Sequence, residues 1–185
     1  MTALPVANDY PWYALVEGSS LLQGDFLDQC PILIPPDDFQ IPGSGEPAEI
    51  NVGLRPYDVV VMSQSCDLEP EKLDLVLLCP HWPLEQLAAD NDFLKSSRGK
   101  EQLRRGDVPG YHLFAPCDLS EARRGICVVD FRSVYSLPYT FVKNFAAKSG
   151  KRLRLLPPYR EHLSQAFARF FMRVGLPVDI PPFRK

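Results

Sequence analysis

Nineteen of the 185 residues are proline, about twice the ~5% of an average chain, and no other feature restricts the fold as much. Each proline fixes φ and removes a backbone donor, so a helix interior or a central ladder position that holds one loses a hydrogen bond. An all-helical bundle is therefore disfavoured, and short strands joined by many turns are favoured. The 45% hydrophobic and 23% charged fractions are those of an ordinary globular chain. At this length the chain makes one domain, or one domain with appendages.

The strand signals come in order. Trp12, Tyr13, Leu15 and Val16 form a short first element before Gly18-Ser19-Ser20. Gly24-Asp25 reads as a turn feeding a strand that runs through Ile34, with Pro31 confining its second half to an edge or a bulge. Residues 35–53 hold four Pro and three Gly and read as a long surface loop. Asp58–Ser63 and Leu73–Cys79 are nearly continuous apolar runs suited to buried strands, joined as a hairpin through Glu69-Pro70-Glu71-Lys72 and closed by Pro80 and Pro83. From Leu84 to Arg105 the period becomes helical, with a break at Ser96–Gly99. Strands return at Tyr111–Ala115, Ile126–Phe131 and Val134–Leu137. After Pro157-Pro158, the residues Tyr159, Leu163, Ala166, Phe167, Phe170, Phe171 and Val174 recur at helical spacing until Gly175 and Pro177.

Charge is segmented. Residues 1–142 hold ten Lys/Arg against twenty-one Asp/Glu, a net of −11, whereas residues 143–173 hold eight Lys/Arg against one Glu, a net of +7. Such asymmetry marks either a polyanion-binding edge or two parts that neutralise each other in the fold. The N-terminal residues lack the basic and apolar regions of a secretory signal, and no run reaches the ~18 apolar residues of a spanning helix. A soluble, cytoplasmic protein with no membrane partner is expected. Five cysteines, an odd number without a signal, point to reduced thiols.

Ser63-Gln64-Ser65-Cys66-Asp67-Leu68 puts a polar cluster with a thiol where a buried strand ends. A nucleophilic Cys66 needs a base or cation to lower its pKa from ~8.5, and His81 and His112 are the candidates. Alternatively Cys66 packs as a small apolar residue while Ser65 and Asp67 satisfy turn backbone groups. A metal site could draw on Cys30, Cys66, Cys79, Cys117, His81 and His112, but no CxxC pair occurs and Cys79-Pro80-His81 is tighter than structural zinc spacing. No metal or cofactor is expected. Gly43-Ser44-Gly45 lacks a following Lys-Ser/Thr, and no GxGxxG opens a helix. Lys143, Lys148, Lys151, Arg152, Arg154 and Arg160 interleave with Tyr139, Phe141, Phe145 and Tyr159, the composition of a single-stranded nucleic-acid surface and equally of a loop pinned to a core by its aromatics.

Taken in order, Gly24-Asp25, Arg55-Pro56, Val59-Val60-Val61-Met62-Ser63, Leu75-Val76-Leu77-Leu78-Cys79-Pro80 and Val129-Asp130-Phe131-Arg132-Ser133 resemble the PemK/MazF toxin endoribonucleases over roughly residues 21–137. The resemblance implies a mainly β (α+β) fold built on a small SH3-like barrel. The helical insertion at 84–105, a basic linker at 143–157 and a docked C-terminal helix at 158–174 are additions to it. It also implies a toxin-antitoxin setting with single-stranded RNA as partner and substrate, whose cleavage needs a base for the 2′-hydroxyl proton and a cation for the phosphorane charge. His81 is the expected base and Arg55 the expected cation, with Ser63, Cys66 and Asp67 completing the site. Lys143, Lys148, Lys151, Arg152, Arg154 and Arg132 are the expected RNA contacts. Where the family carries its catalytic Thr this chain has His81-Trp82, and Tyr57-Asp58 separates Arg55-Pro56 from the apolar run. Two other readings stay open: a catalytically inactive barrel that serves as a protein-interaction or regulatory module, or pairs as a homodimer, and a Cys66-centred thiol or metal site.

Overall fold

The computed structural model describes residues 10–36, 38 and 53–172. Most of the expected loop at 35–53, together with Val174, Gly175 and Pro177, lies outside these residues. The fold is mixed α+β, with antiparallel strands predominating. Strands β2 (Phe26–Ile34), β3 (Gly53–Val61), β4 (Leu75–Pro83), β5 (Tyr111–Phe114) and β6 (Cys127–Asp130) form a sheet in the order β2-β3-β4-β6-β5, and β7 (Tyr135–Pro138) pairs with the first half of β4. A separate two-stranded sheet joins β1 (Tyr13–Val16) to β8 (Arg152–Leu155). The described strands are not hydrogen-bonded into a closed barrel.

The run Val59-Val60-Val61-Met62 is apolar throughout because both faces of its strand are covered. Val60 and Met62 face a cluster with Phe26, Phe114, Phe131, Leu153, Leu155, Tyr159 and Leu163. Val59 and Val61 face another with Leu27, Ile32, Leu78, Leu137, Val142 and Ala146. Pro31 lies inside the edge strand β2, as expected, and Pro83 ends β4, but Pro80, expected to help close that strand, is carried inside it. Pro31 sits opposite Pro56 in the β2–β3 register, so the two missing donors share one rung, and Pro80 pairs with Val59 at the point where β4 changes partner from β7 to β6.

The expected helical insertion is three short helices, α2 (Leu84–Ala89), α3 (Asp92–Lys95) and α4 (Ser97–Arg105). Asn91 and Ser96 cap the second and third with their side-chain oxygens. Gly99 is required where α4 crosses α3, because a Cβ there would lie 1.8 Å from the Phe93 carbonyl oxygen. The hairpin connection also differs from expectation, since a one-turn helix, α1 (Ser65–Leu68), lies within it. The expected basic linker is no linker: its residues form the end of α5 (Tyr139–Lys148) and the whole of β8. The last helix, α6 (Tyr159–Phe171), docks as expected through Tyr159, Leu163, Ala166, Phe167 and Phe170, although Phe171 is exposed.

One buried ion cluster ties the two sheets together. Gly24, with φ +84, brings the backbone against Leu155, whose Cβ would be 2.8 Å from any Cβ at position 24. The close approach lets Asp25 bridge to Arg154 of β8. The Asp25 carboxylate is fully buried, and Arg152, 5% exposed, donates from Nε to its Oδ2 at 3.0 Å. Arg154 donates to the same carboxylate from Nε and from Nη2, the latter at 2.8 Å. Remaining guanidinium donors reach the Gly18 and Ser20 carbonyls. Removing one partner of a buried pair strands the other charge. Asp25→Ala should therefore lower stability by about 3–5 kcal/mol in urea unfolding, with Arg154→Ala, whose site is more open, costing less.

Candidate functional site

His81 points from β4 into the sheet interior, opposite Val129 of β6 and 4% exposed, with the Phe26 ring edge-on at 5.0 Å. Neither of its ring nitrogens has a hydrogen-bond partner, and neither has the Nε of Arg124; among the described residues these are the three buried side-chain nitrogens or oxygens in that condition. Buried polar groups are almost always paired, and the two residues that hold these nitrogens both line one pocket of about 260 Å³, which marks the place. Asp28, Gln29, Asp58, Pro83, Arg123 and Cys127 complete its wall.

Local structure explains the arrangement. A register shift between Leu27 and Cys30 bulges β2, and Gln29 adopts φ 54 there, a left-handed conformation that a bulge accommodates. Asp58 holds the bulge by accepting from the Gln29 backbone N at 2.8 Å and from its Nε2 at 3.0 Å. Arg124 arrives from the β5–β6 connection, pinned by a bridge between Cys117 and Arg124, and gives two hydrogen bonds to Asp28 at 2.9 and 3.3 Å while its guanidinium lies over Phe26. Burial, and then the Arg124 charge, push His81 down to about 4, so the imidazole is neutral at physiological pH. Burial likewise raises the Cys127 thiol, which stays protonated and donates to the Gly125 carbonyl. None of Arg124, Asp28 and Asp58 was singled out from sequence. The nearest signal was Asp58 itself, one of the two residues that set Arg55-Pro56 apart from the apolar run.

The expected partnership of His81 with Arg55 is not formed. Arg55 is exposed on β3 opposite Ile32, four residues from Val59, where pairing to β4 stops, or about 13 Å along an extended ribbon. Ser63 accepts from the Leu77 backbone N at 2.8 Å, Ser65 from that of Gln23, and the Asp67 carbonyl from that of Lys72; these groups hold the hairpin connection. Cys66 is exposed on α1, and it lines neither the His81 pocket nor the cleft that contains His112. Burial pushes Cys30 up to about 11 and Cys79 to about 12, leaving both thiols protonated. Among the described residues no three His, Cys, Asp or Glu side chains gather as a metal-holding group.

The basic segment is also differently disposed from the expectation of a free cationic strip. Arg152 and Arg154 are committed to Asp25, Lys143 to Glu71 and Lys151 to Glu121. Arg132 is bidentate on Asp130, at 2.8 and 2.6 Å, and also reaches the Tyr111 hydroxyl. Lys148 closes α5 on an exposed face. The acidic and basic parts of the sequence thus largely neutralise each other.

Arginine, histidine and aromatic side chains gather elsewhere. A cleft of about 880 Å³ lies between the end of α4, β5 and α6, with Arg104, Arg105, His112, His162 and Arg169 in its wall beside Trp12, Tyr111 and Tyr159. Trp12 and Tyr159 stack with ring centroids 3.7 Å apart. Arg104 and Arg105 share Glu101, which lies outside the wall; among the described residues no Asp or Glu lines the cleft. Burial, and then His162, lower His112 to about 4. No helix among the described residues is long and apolar enough to cross a membrane.

Compared with protein-family models, with curated proteins and with solved structures, the chain matches none at a significant level.

The depressed histidines give the fold a pH signature. An unfolded-chain histidine titrates near 6.5, whereas His81 titrates at about 4 in the fold. Between these values the unfolded chain binds more protons, so stability is complete above about 6.5 and declines as pH falls towards 4. Urea unfolding at pH 7 and pH 4.5 should show this loss, and His81→Leu should remove roughly 2–3 kcal/mol of it while the His112 part remains.

Proposed function

We propose that this protein binds single-stranded nucleic acid, RNA in the first instance, in the open cleft between α4, β5 and α6. The observation that carries the reading is the composition of the cleft wall among the described residues: three arginines, a stacked Trp12–Tyr159 pair and no carboxylate. Positive charge follows a phosphate backbone while aromatic faces stack on bases, which is what sequence-tolerant single-strand binding requires. With Glu101 offsetting one of Arg104 and Arg105, the neighbourhood keeps a positive balance, and Arg169 supplies it from α6. The cleft volume falls in the upper part of the ~300–1,000 Å³ range of ligand sites.

RNA as the partner is supported by the resemblance to the toxin endoribonucleases. In this reading the six-stranded sheet, in which β6 and β7 run consecutively along one edge of β4, is an opened form of that family's small barrel. The nucleic acid lies on the added helices rather than on the basic segment at 143–157.

Anisotropy of a labelled single-stranded RNA at two salt concentrations tests the proposal. Affinity should fall with salt, at a log–log slope of about −0.7 per phosphate contacted. Arg169→Glu should weaken binding on the order of tenfold, a change of about 1.4 kcal/mol, whereas Lys143→Glu should leave it nearly unchanged. Salt-independent binding, or equal loss in both variants, would remove the cleft from consideration.

A further inference from the structure

The three unpartnered nitrogens support an inference that does not depend on nucleic-acid binding in the cleft. We propose that the pocket around His81 and Arg124 binds a small uncharged ligand that presents an amide-type edge, a carbonyl beside an N–H, as a free nucleobase or a primary carboxamide does.

Hydrogen-bonding capacity gives the first part of the argument. A neutral imidazole offers one donor and one acceptor, and the Arg124 Nε–H is a further donor. Neither the imidazole nor the Arg124 Nε–H has a partner among the described residues, and both side chains belong to residues that line the pocket. The two imidazole nitrogens point in diverging directions, so one amide edge meets one of them: its carbonyl oxygen accepts from the Arg124 Nε–H, and its adjacent N–H donates to the imidazole acceptor. Charge gives the second part. Arg123 and Arg124 line the pocket together with Asp28 and Asp58, so the formal charges balance. A carboxylate or phosphate entering here would be desolvated without a counter-charge, which is costly, whereas a neutral ligand is not penalised in this way.

Size and rigidity complete the argument. The pocket, at about 260 Å³, sits just below the ~300–1,000 Å³ of sites for drug-sized ligands and suits a single ring or a short amide. Its polar groups are already fixed, Asp58 by Gln29 and Arg124 by Asp28, so binding orders few side chains.

The wild-type protein suffices for the test. With ¹⁵N-histidine label the chain gives three imidazole systems, from His81, His112 and His162, with His81 assigned by its absence in His81→Leu. Uracil and nicotinamide are titrated separately at neutral pH, with nicotinate as the charged counterpart. Saturable shifts of the His81 nitrogens by either neutral compound, at a dissociation constant on the order of 1 mM for so small a ligand, and none by nicotinate, are expected. Response to uracil alone identifies a nucleobase as the source, and response to nicotinamide alone identifies a carboxamide. Stronger binding of nicotinate would make this an anion site and overturn the proposal. So would the absence of any His81 shift, which would leave water as the pocket's occupant. RNA anisotropy on the same sample separates the two readings, because loss of RNA binding leaves the His81 result intact.

Discussion

Everything positioned around the central sheet depends on a carboxylate with no access to solvent. Asp25 lies at the start of β2, and the two arginines it holds belong to β8, more than 120 residues later in the chain. A pair of charges this deep is stable only when the remaining donors are also satisfied, and the Gly18 and Ser20 carbonyls do this. The cluster therefore fixes the turn before β2, the place of β8 and, through the β1–β8 ladder, the first strand. The docking of α6 follows, since Tyr159 begins the helix four residues after β8 ends and stacks on Trp12, the residue before β1.

The same framework produces two cavities with titratable groups in their walls. A sheet with apolar cover on both faces leaves little room for titratable groups, so those that occur gather where the regular pattern breaks. The bulge in β2 and the β5–β6 connection meet at His81; the helical insertion and α6 leave the larger cleft between them. In both places a histidine is kept neutral by burial. Arginine supplies the fixed positive charge in each, offset by Asp28 in one and by Glu101 in the other.

The strands were legible from the apolar runs at 59–62 and 75–79; the first is too continuous for a one-sided strand and is buried throughout, whereas in the second Leu75 and Leu77 are exposed. The helical face of α6 was legible from its spacing, as was the break near Ser96. Pro83 was rightly read as a terminator, but Pro80 misled: β4 passes through it because that position falls where the strand changes neighbour. Contacts between distant residues were not legible at all. The segment from Lys143 to Arg160 reads as a basic strip, yet Asp25, Glu71 and Glu121 meet it from remote parts of the chain. Likewise His81 could be noticed, but its partner could not, because nothing local distinguishes the exposed Arg55 from the half-buried Arg124.

The rung formed by Pro31 and Pro56 has a consequence for how copies of the protein behave together. Beyond the reach of β4 the β2–β3 ribbon shows exposed Leu33 and Leu54 side by side, and among the described strands none pairs with the outer edge of β2 past Asp25. An apolar, unpaired ribbon is the kind of edge on which strands of neighbouring molecules add and aggregates grow. A strand approaching here meets a position with no N–H to offer on either side of the ribbon, and the ladder it would extend is interrupted. Proline at this rung thus lets the ribbon remain apolar while limiting its capacity to recruit another chain.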